Sequence, residues 1–99
     1  MSVNEIAVLK VNGAQRAAFV ESAHAFTKTV AADGGCRQVE MLQSIDEPDS
    51  FVVVITWDSR EARKAFSGSD RGRSAISALA GHLVEPPTKS LYQTLTMPG

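Results

Sequence analysis

At 99 residues, 43% hydrophobic and 21% charged, the chain makes one globular domain with an adequate core rather than a disordered segment. A net charge of −1 with no basic cluster argues against nucleic acid or an anionic membrane as partner, and no apolar run approaches the roughly 20 residues of a membrane span. A lone cysteine, Cys36, excludes an internal disulfide, and because His24 and His82 show no ligand spacing with it, no metal site is expected.

The opening MSVNEIAV has neither the basic start nor the long apolar stretch of a signal peptide, so a cytoplasmic protein is expected. Val3–Val11 is the first predicted strand, with Glu5, Ala7, Leu9 and Val11 alternating with Asn4, Ile6, Val8 and Lys10. Asn12-Gly13 ends it. From Ala14 to about Ala32, Phe19, Ala23, Phe26 and Val30 recur at helical spacing and mark one buried face. Asp33-Gly34-Gly35 closes that helix, the glycines tolerating the positive φ often needed there.

Cys36–Ser44 is the second strand, amphipathic enough for an edge, and Asp46–Ser50 turns it into a hairpin with the next. Phe51–Trp57, FVVVITW, is apolar on both faces and therefore central. Asp58 with Glu61 forms a capping box for the helix at about 59–67, with Ser59 as the competing cap. After Gly68-Ser69-Asp70 a further helix spans about 70–80 and carries Ile76 and Leu79, followed by Leu83. Pro86-Pro87 bars a central strand, and Leu91–Leu95 forms the last one.

The order is β-α-β-β-α-β with the second helix broken. Two right-handed crossovers give an α+β, ferredoxin-like domain with a four-stranded antiparallel sheet in the order 4-1-3-2. Helices cover one face, yet the first and third strands are apolar on both. A second copy of the chain is the simplest cover for the other face, so a homodimer is expected, the last strand contributing to its contact.

These residues resemble the antibiotic-biosynthesis-monooxygenase family of dimeric α+β barrels. The resemblance rests on Gly35-Cys36 opening the second strand, on Asp46–Ser50 running into a strand that ends in Trp57, and on Ser59-Arg60-Glu61-Ala62 through Phe66 and Ser69. It implies a single ABM-like domain over residues 1–99 and a small-molecule pocket in each protomer. The haem-degrading branch uses an asparagine, a tryptophan and a histidine at positions that are here Ile6, Phe66 and Ile76, with Asn4 two residues away on the strand. All three are replaced, which disfavours haem degradation. The anthrone-oxidising branch keeps the tryptophan matched by Trp57, but its asparagine and tyrosine are here Val53 and Arg63.

The resemblance therefore implies a monooxygenase that uses no cofactor and acts on a small aromatic, quinol or polyketide-like substrate. A substrate anion can itself pass an electron to oxygen, so the protein needs only to deprotonate, desolvate and hold it. Trp57, Phe19, Phe26, Phe66 and Ile76 are the candidate pocket walls, and Trp57 also offers an indole N–H; each has the alternative reading of plain core. His82, just past the last helix, is the candidate base, with a structural histidine as its alternative. Cys36 has no evident activator and reads as a structural thiol. The competing functions are a non-catalytic dimeric ligand-binding module and an isomerase on the same scaffold. An enclosed cavity with at least two converging polar groups would separate the first reading from the second.

Overall fold

The structure, a computed structural model, describes residues 1–98. The elements run β1 (Val3–Lys10), a 3-10 turn (Gly13–Gln15), α1 (Arg16–Ala31), β2 (Cys36–Gln43), β3 (Ser50–Trp57), α2 (Arg60–Gly68), α3 (Asp70–Ala80) and β4 (Thr88–Tyr92). All strand pairs are antiparallel, in the order β2-β3-β1-β4. This is the ferredoxin-like α+β arrangement expected, with β1 and β3 central.

Alternation along the two central strands sets the layers. Val3, Glu5, Ala7 and Leu9 of β1 and Phe51, Val53, Ile55 and Trp57 of β3 turn to the helices and are buried. The α1 stripe of Phe19, Ala23, Phe26 and Val30 meets them, joined by Phe66 of α2 and Leu79 of α3. Trp57, Phe19 and Val30 are the largest fully enclosed side chains, and burying each is worth about 1.5–3 kcal/mol. On the other face Ile6, Val8, Val52 and Val54 are only half-buried, and Leu42 is exposed.

Local chemistry corrects three expectations. Ser59, not Asp58, caps α2: its Oγ accepts the Ala62 N–H at 3.1 Å. This places Glu61 at the second helical position, too early to close a capping box, and Asp58 instead accepts from Arg37 Nε at 2.7 Å. Among the described residues no glycine has a positive φ. The helix α1 ends through N–H bonds from Ala32 to Lys28 and from Asp33 to Val30. Gly35 is needed for space, since a Cβ there would lie 2.7 Å from that of Ala62. The last strand begins directly after Pro87 and runs Thr88–Tyr92 rather than Leu91–Leu95. Tyr92 already faces Asn4 near the start of β1, so no ladder remains for Leu95, which is exposed.

The helix break is built by Ser69. Its Oγ donates to the Phe66 carbonyl (2.7 Å) and accepts the Gly72 N–H (3.0 Å), ending α2 and capping α3 with one side chain. A Cβ on Gly72 would overlap the Phe66 carbonyl. No helix among the described residues is long and apolar enough to cross a membrane.

Candidate active site

The break between α2 and α3 leaves a cavity of about 160 Å³ between these helices and the sheet. Its floor is the helix-facing side of the central strands: Glu5, Ala7 and Leu9 from β1, Val53, Ile55 and Trp57 from β3. Phe26, Phe66, Ile76 and Leu79 wall it, and the rim carries Ser67, Pro87 and the exposed Lys89. Two roomier hollows, of about 460 and 300 Å³, lie on the surface and are lined mostly by exposed or half-buried residues. Of these three, among the described residues, the smallest joins buried aromatic walls to a buried acid.

That acid is Glu5, among the described residues the one buried charged residue of the core and just 8% exposed. In the β1–β3 register Val3 lies opposite Trp57 and Glu5 opposite Ile55, so Glu5 and Trp57 are diagonal neighbours on one face. The Trp57 indole N–H donates to Glu5 Oε1 at 3.0 Å. Arg63, one turn into α2, donates from Nη2 to Oε2 at 3.2 Å. Trp57 is fixed from its other side by Phe66, the rings 5.3 Å apart and tilted by 39°. An ionised carboxylate has about four acceptor sites. Two are used here, which leaves lone pairs for a ligand hydroxyl at the cavity floor.

Of the residues predicted as pocket walls, Trp57, Phe26, Phe66 and Ile76 line the cavity. Phe19 does not; it stacks on Phe51 at 4.7 Å in the neighbouring core. The indole N–H expected to be offered to a ligand is already taken by Glu5. His82 also lies outside the cavity. Its Nδ1 bonds Gln15 Oε1 (2.9 Å) and its Nε2 bonds Ser22 Oγ (3.0 Å), while its ring edge meets Phe19. Both ring nitrogens thus tie the segment after α3 to α1 and its start. Cys36, opposite Trp57 at the start of β2, is partly buried against the core but does not line the cavity. Partial burial pushes its thiol pKa up, with Asp33 and Asp58 adding to the effect against a weak bond to the Gln38 carbonyl.

Sequence reasoning passed over Glu5 and Lys89. The signal for Glu5 was present: an acid at an inward position of a strand otherwise lined by Val3, Ala7 and Leu9. Lys89 had no such signal, since the register of β4 decides its place. Among the described residues there is no group of three or more His, Cys, Asp or Glu that could hold a metal ion.

The family model for antibiotic biosynthesis monooxygenases matches residues 2–78. No curated protein matches the sequence significantly. Among solved structures, a conserved protein from Methanosarcina mazei Go1 is 14% identical over 96% of this chain and 94% of that one, with a TM-score of 0.88. Rv0793 from Mycobacterium tuberculosis is 21% identical, with full coverage of both chains (100% and 100%) and a TM-score of 0.86. SnoaB, a cofactor-independent oxygenase from Streptomyces nogalater, is 17% identical over 97% of this chain and 95% of that one, with a TM-score of 0.87. At these identities the likeness is one of fold.

Proposed function

We propose that this chain, which belongs to the antibiotic biosynthesis monooxygenase family, oxidises a single-ring quinol with dioxygen and without a cofactor. The observation that carries this reading is the Glu5 carboxylate in the floor of an otherwise apolar cavity. A cavity of about 150 Å³ holds one benzene ring, so 160 Å³ suits a monocyclic substrate. Glu5 at the floor and Lys89 at the rim put two polar groups on one apolar cavity, which favours a reactive site over a plain binding module. The likeness of fold to a cofactor-independent oxygenase supports the same class of reaction.

The chemistry asks little of the protein. Glu5 accepts a proton from the quinol hydroxyl, and the dry aromatic walls leave the resulting anion poorly solvated and electron-rich. The anion passes one electron to dioxygen, giving a semiquinone and superoxide, which combine at a ring carbon as a peroxide. That carbon gives up its hydrogen as a proton as the O–O bond cleaves, which leaves one oxygen on the ring as the new hydroxyl. The other departs as water, taking up the two protons the quinol hydroxyls have lost. A hydroquinone plus dioxygen thus becomes a hydroxyquinone plus water, the substrate supplying every electron. Trp57 and Arg63 act on this step through Glu5, whose carboxylate they orient.

The test is oxygen uptake by chelator-treated protein against quinols of one to three rings, with labelled dioxygen. Uptake with monocyclic quinols and one labelled atom per product is the expected result. No uptake with any substrate, or uptake that requires added metal or flavin, refutes the reading. Tight binding without uptake would point to the non-catalytic binding module, and conversion without oxygen to an isomerase.

The apolar second face of the sheet supports a homodimer. Ile6, Val8, Val52 and Val54 form a half-buried stripe on it, beside exposed Leu42. Light scattering at micromolar concentration is expected at twice the chain mass of 10.6 kDa; a monomer refutes the assembly.

A further inference from the structure

The cavity has two chemically different ends. At the floor, the charge of Glu5 is met by the Arg63 guanidinium. At the rim stands Lys89, on the edge strand, exposed and yet part of the cavity wall. Among the described residues no carboxylate lies within 4.0 Å of its ammonium. The register explains how the two ends relate. Leu91 lies opposite Glu5 and Lys89 opposite Ala7, so Glu5 and Lys89 are diagonal neighbours on the helix-facing side of adjacent strands. The backbones of such neighbours stand about 7–8 Å apart, within reach of long side chains, so Glu5 and the flexible Lys89 can address one small ligand from two sides. The nearest acid on that face is already bonded to two donors, and Lys89 does not pair with it. With Glu5 and Arg63 cancelling, Lys89 gives the cavity a net positive charge at its mouth.

We propose that the site takes a single-ring aromatic anion, its hydroxyl directed at Glu5 and a carboxylate held at Lys89. This rests on reading the cavity as the substrate site, and it specifies the class of substrate. The polarity follows from solvation. A carboxylate keeps its water at the exposed rim, whereas a neutral hydroxyl can enter the buried floor and find an acceptor there. The reverse orientation would drive the ligand's charge onto Glu5.

The probe is 4-hydroxybenzoate, which tests binding apart from turnover, compared with its methyl ester by titration calorimetry at neutral pH. The acid should bind roughly fivefold tighter, the scale of a solvent-exposed ion pair, and raising salt to about 0.5 M should shrink the preference. Lys89→Met should abolish the preference; Lys89→Arg should retain it. Circular dichroism checks that both variants fold. Equal or tighter binding of the ester, a preference that survives Lys89→Met, or binding of neither probe overturns the proposal. The oxygenase reading is judged separately: neutral quinols that consume oxygen while the acid shows no preference leave that reading standing and remove this one. A clear preference without uptake of oxygen by any quinol does the opposite.

Discussion

Removing the acid from the cavity floor tests the site and its energetics together. In Glu5→Leu the Trp57 indole N–H loses its acceptor, a cost of about 1–3 kcal/mol for a buried donor. Arg63 loses its counter-ion as well. Breaking a fully buried pair costs roughly 3–5 kcal/mol, but the Arg63 side chain is 24% exposed and water recovers part of that. A net loss of about 3 kcal/mol is expected, which for a domain of this size lowers Tm by roughly 12–24 °C. Glu5→Gln keeps an acceptor for Trp57 and gives up only the charge, so about 1–2 kcal/mol is expected. Arg63→Leu alone strands the carboxylate and should resemble Glu5→Leu. The double variant Glu5→Leu/Arg63→Leu removes both charges and should fall well short of the sum of the two. Urea denaturation of the four proteins closes the cycle. Single effects that add within about 0.5 kcal/mol would refute the coupling. In the same set, Glu5→Gln should retain its fold and lose about two orders of magnitude in oxygen uptake; undiminished uptake would remove Glu5 as proton acceptor.

His82→Ala should cost about 1–2 kcal/mol through its lost bonds to Gln15 and Ser22, with turnover unchanged within about twofold; a collapse of turnover in folded protein would return His82 to the site. Cys36 should alkylate more slowly than a small-peptide thiol at mildly alkaline pH, because its pKa is raised chiefly by burial. The unfolded chain loses that proton first, so the thiol's contribution to stability should fall as pH rises through the ordinary thiol value; a pH-independent contribution, isolated with Cys36→Ala, would contradict this. Gly72→Ala should destabilise by several kcal/mol, since the new methyl meets the Phe66 carbonyl, whereas Gly34→Ala, with open space around it, should be nearly silent in the same thermal melt.

The fold was legible because burial leaves a period in the chain. Two strands with apolar residues on alternate positions, and a helix with Phe19, Ala23, Phe26 and Val30 on one stripe, fix what packs on what. Choices between chemically equal neighbours were not legible. Asp58 and Ser59 both make good caps, and the decision falls to Arg37, 21 residues away, which claims Asp58. Gly35 looked like a helix-ending glycine, but its smallness serves the approach of Ala62 from α2, a contact no local pattern records.

The site was legible in its walls and illegible in its polar groups. Even the walls were ambiguous: Phe19 and Phe26 share a stripe two turns apart, yet one fills the core and the other lines the cavity. Lys89 was out of reach once the last strand was placed at Leu91–Leu95, because a shift of about three residues leaves it in a loop. Glu5 is the instructive case. Arg63 stands where the family resemblance implies a tyrosine, and alone it looks like a lost polar function. Glu5 alone looks like a misplaced acid. Paired across 58 residues they are one feature, each making the other tolerable in the core. A strand acid facing inward and a helix arginine facing the same corner call for each other, and Trp57 between them fixes which carboxylate oxygen each donor takes.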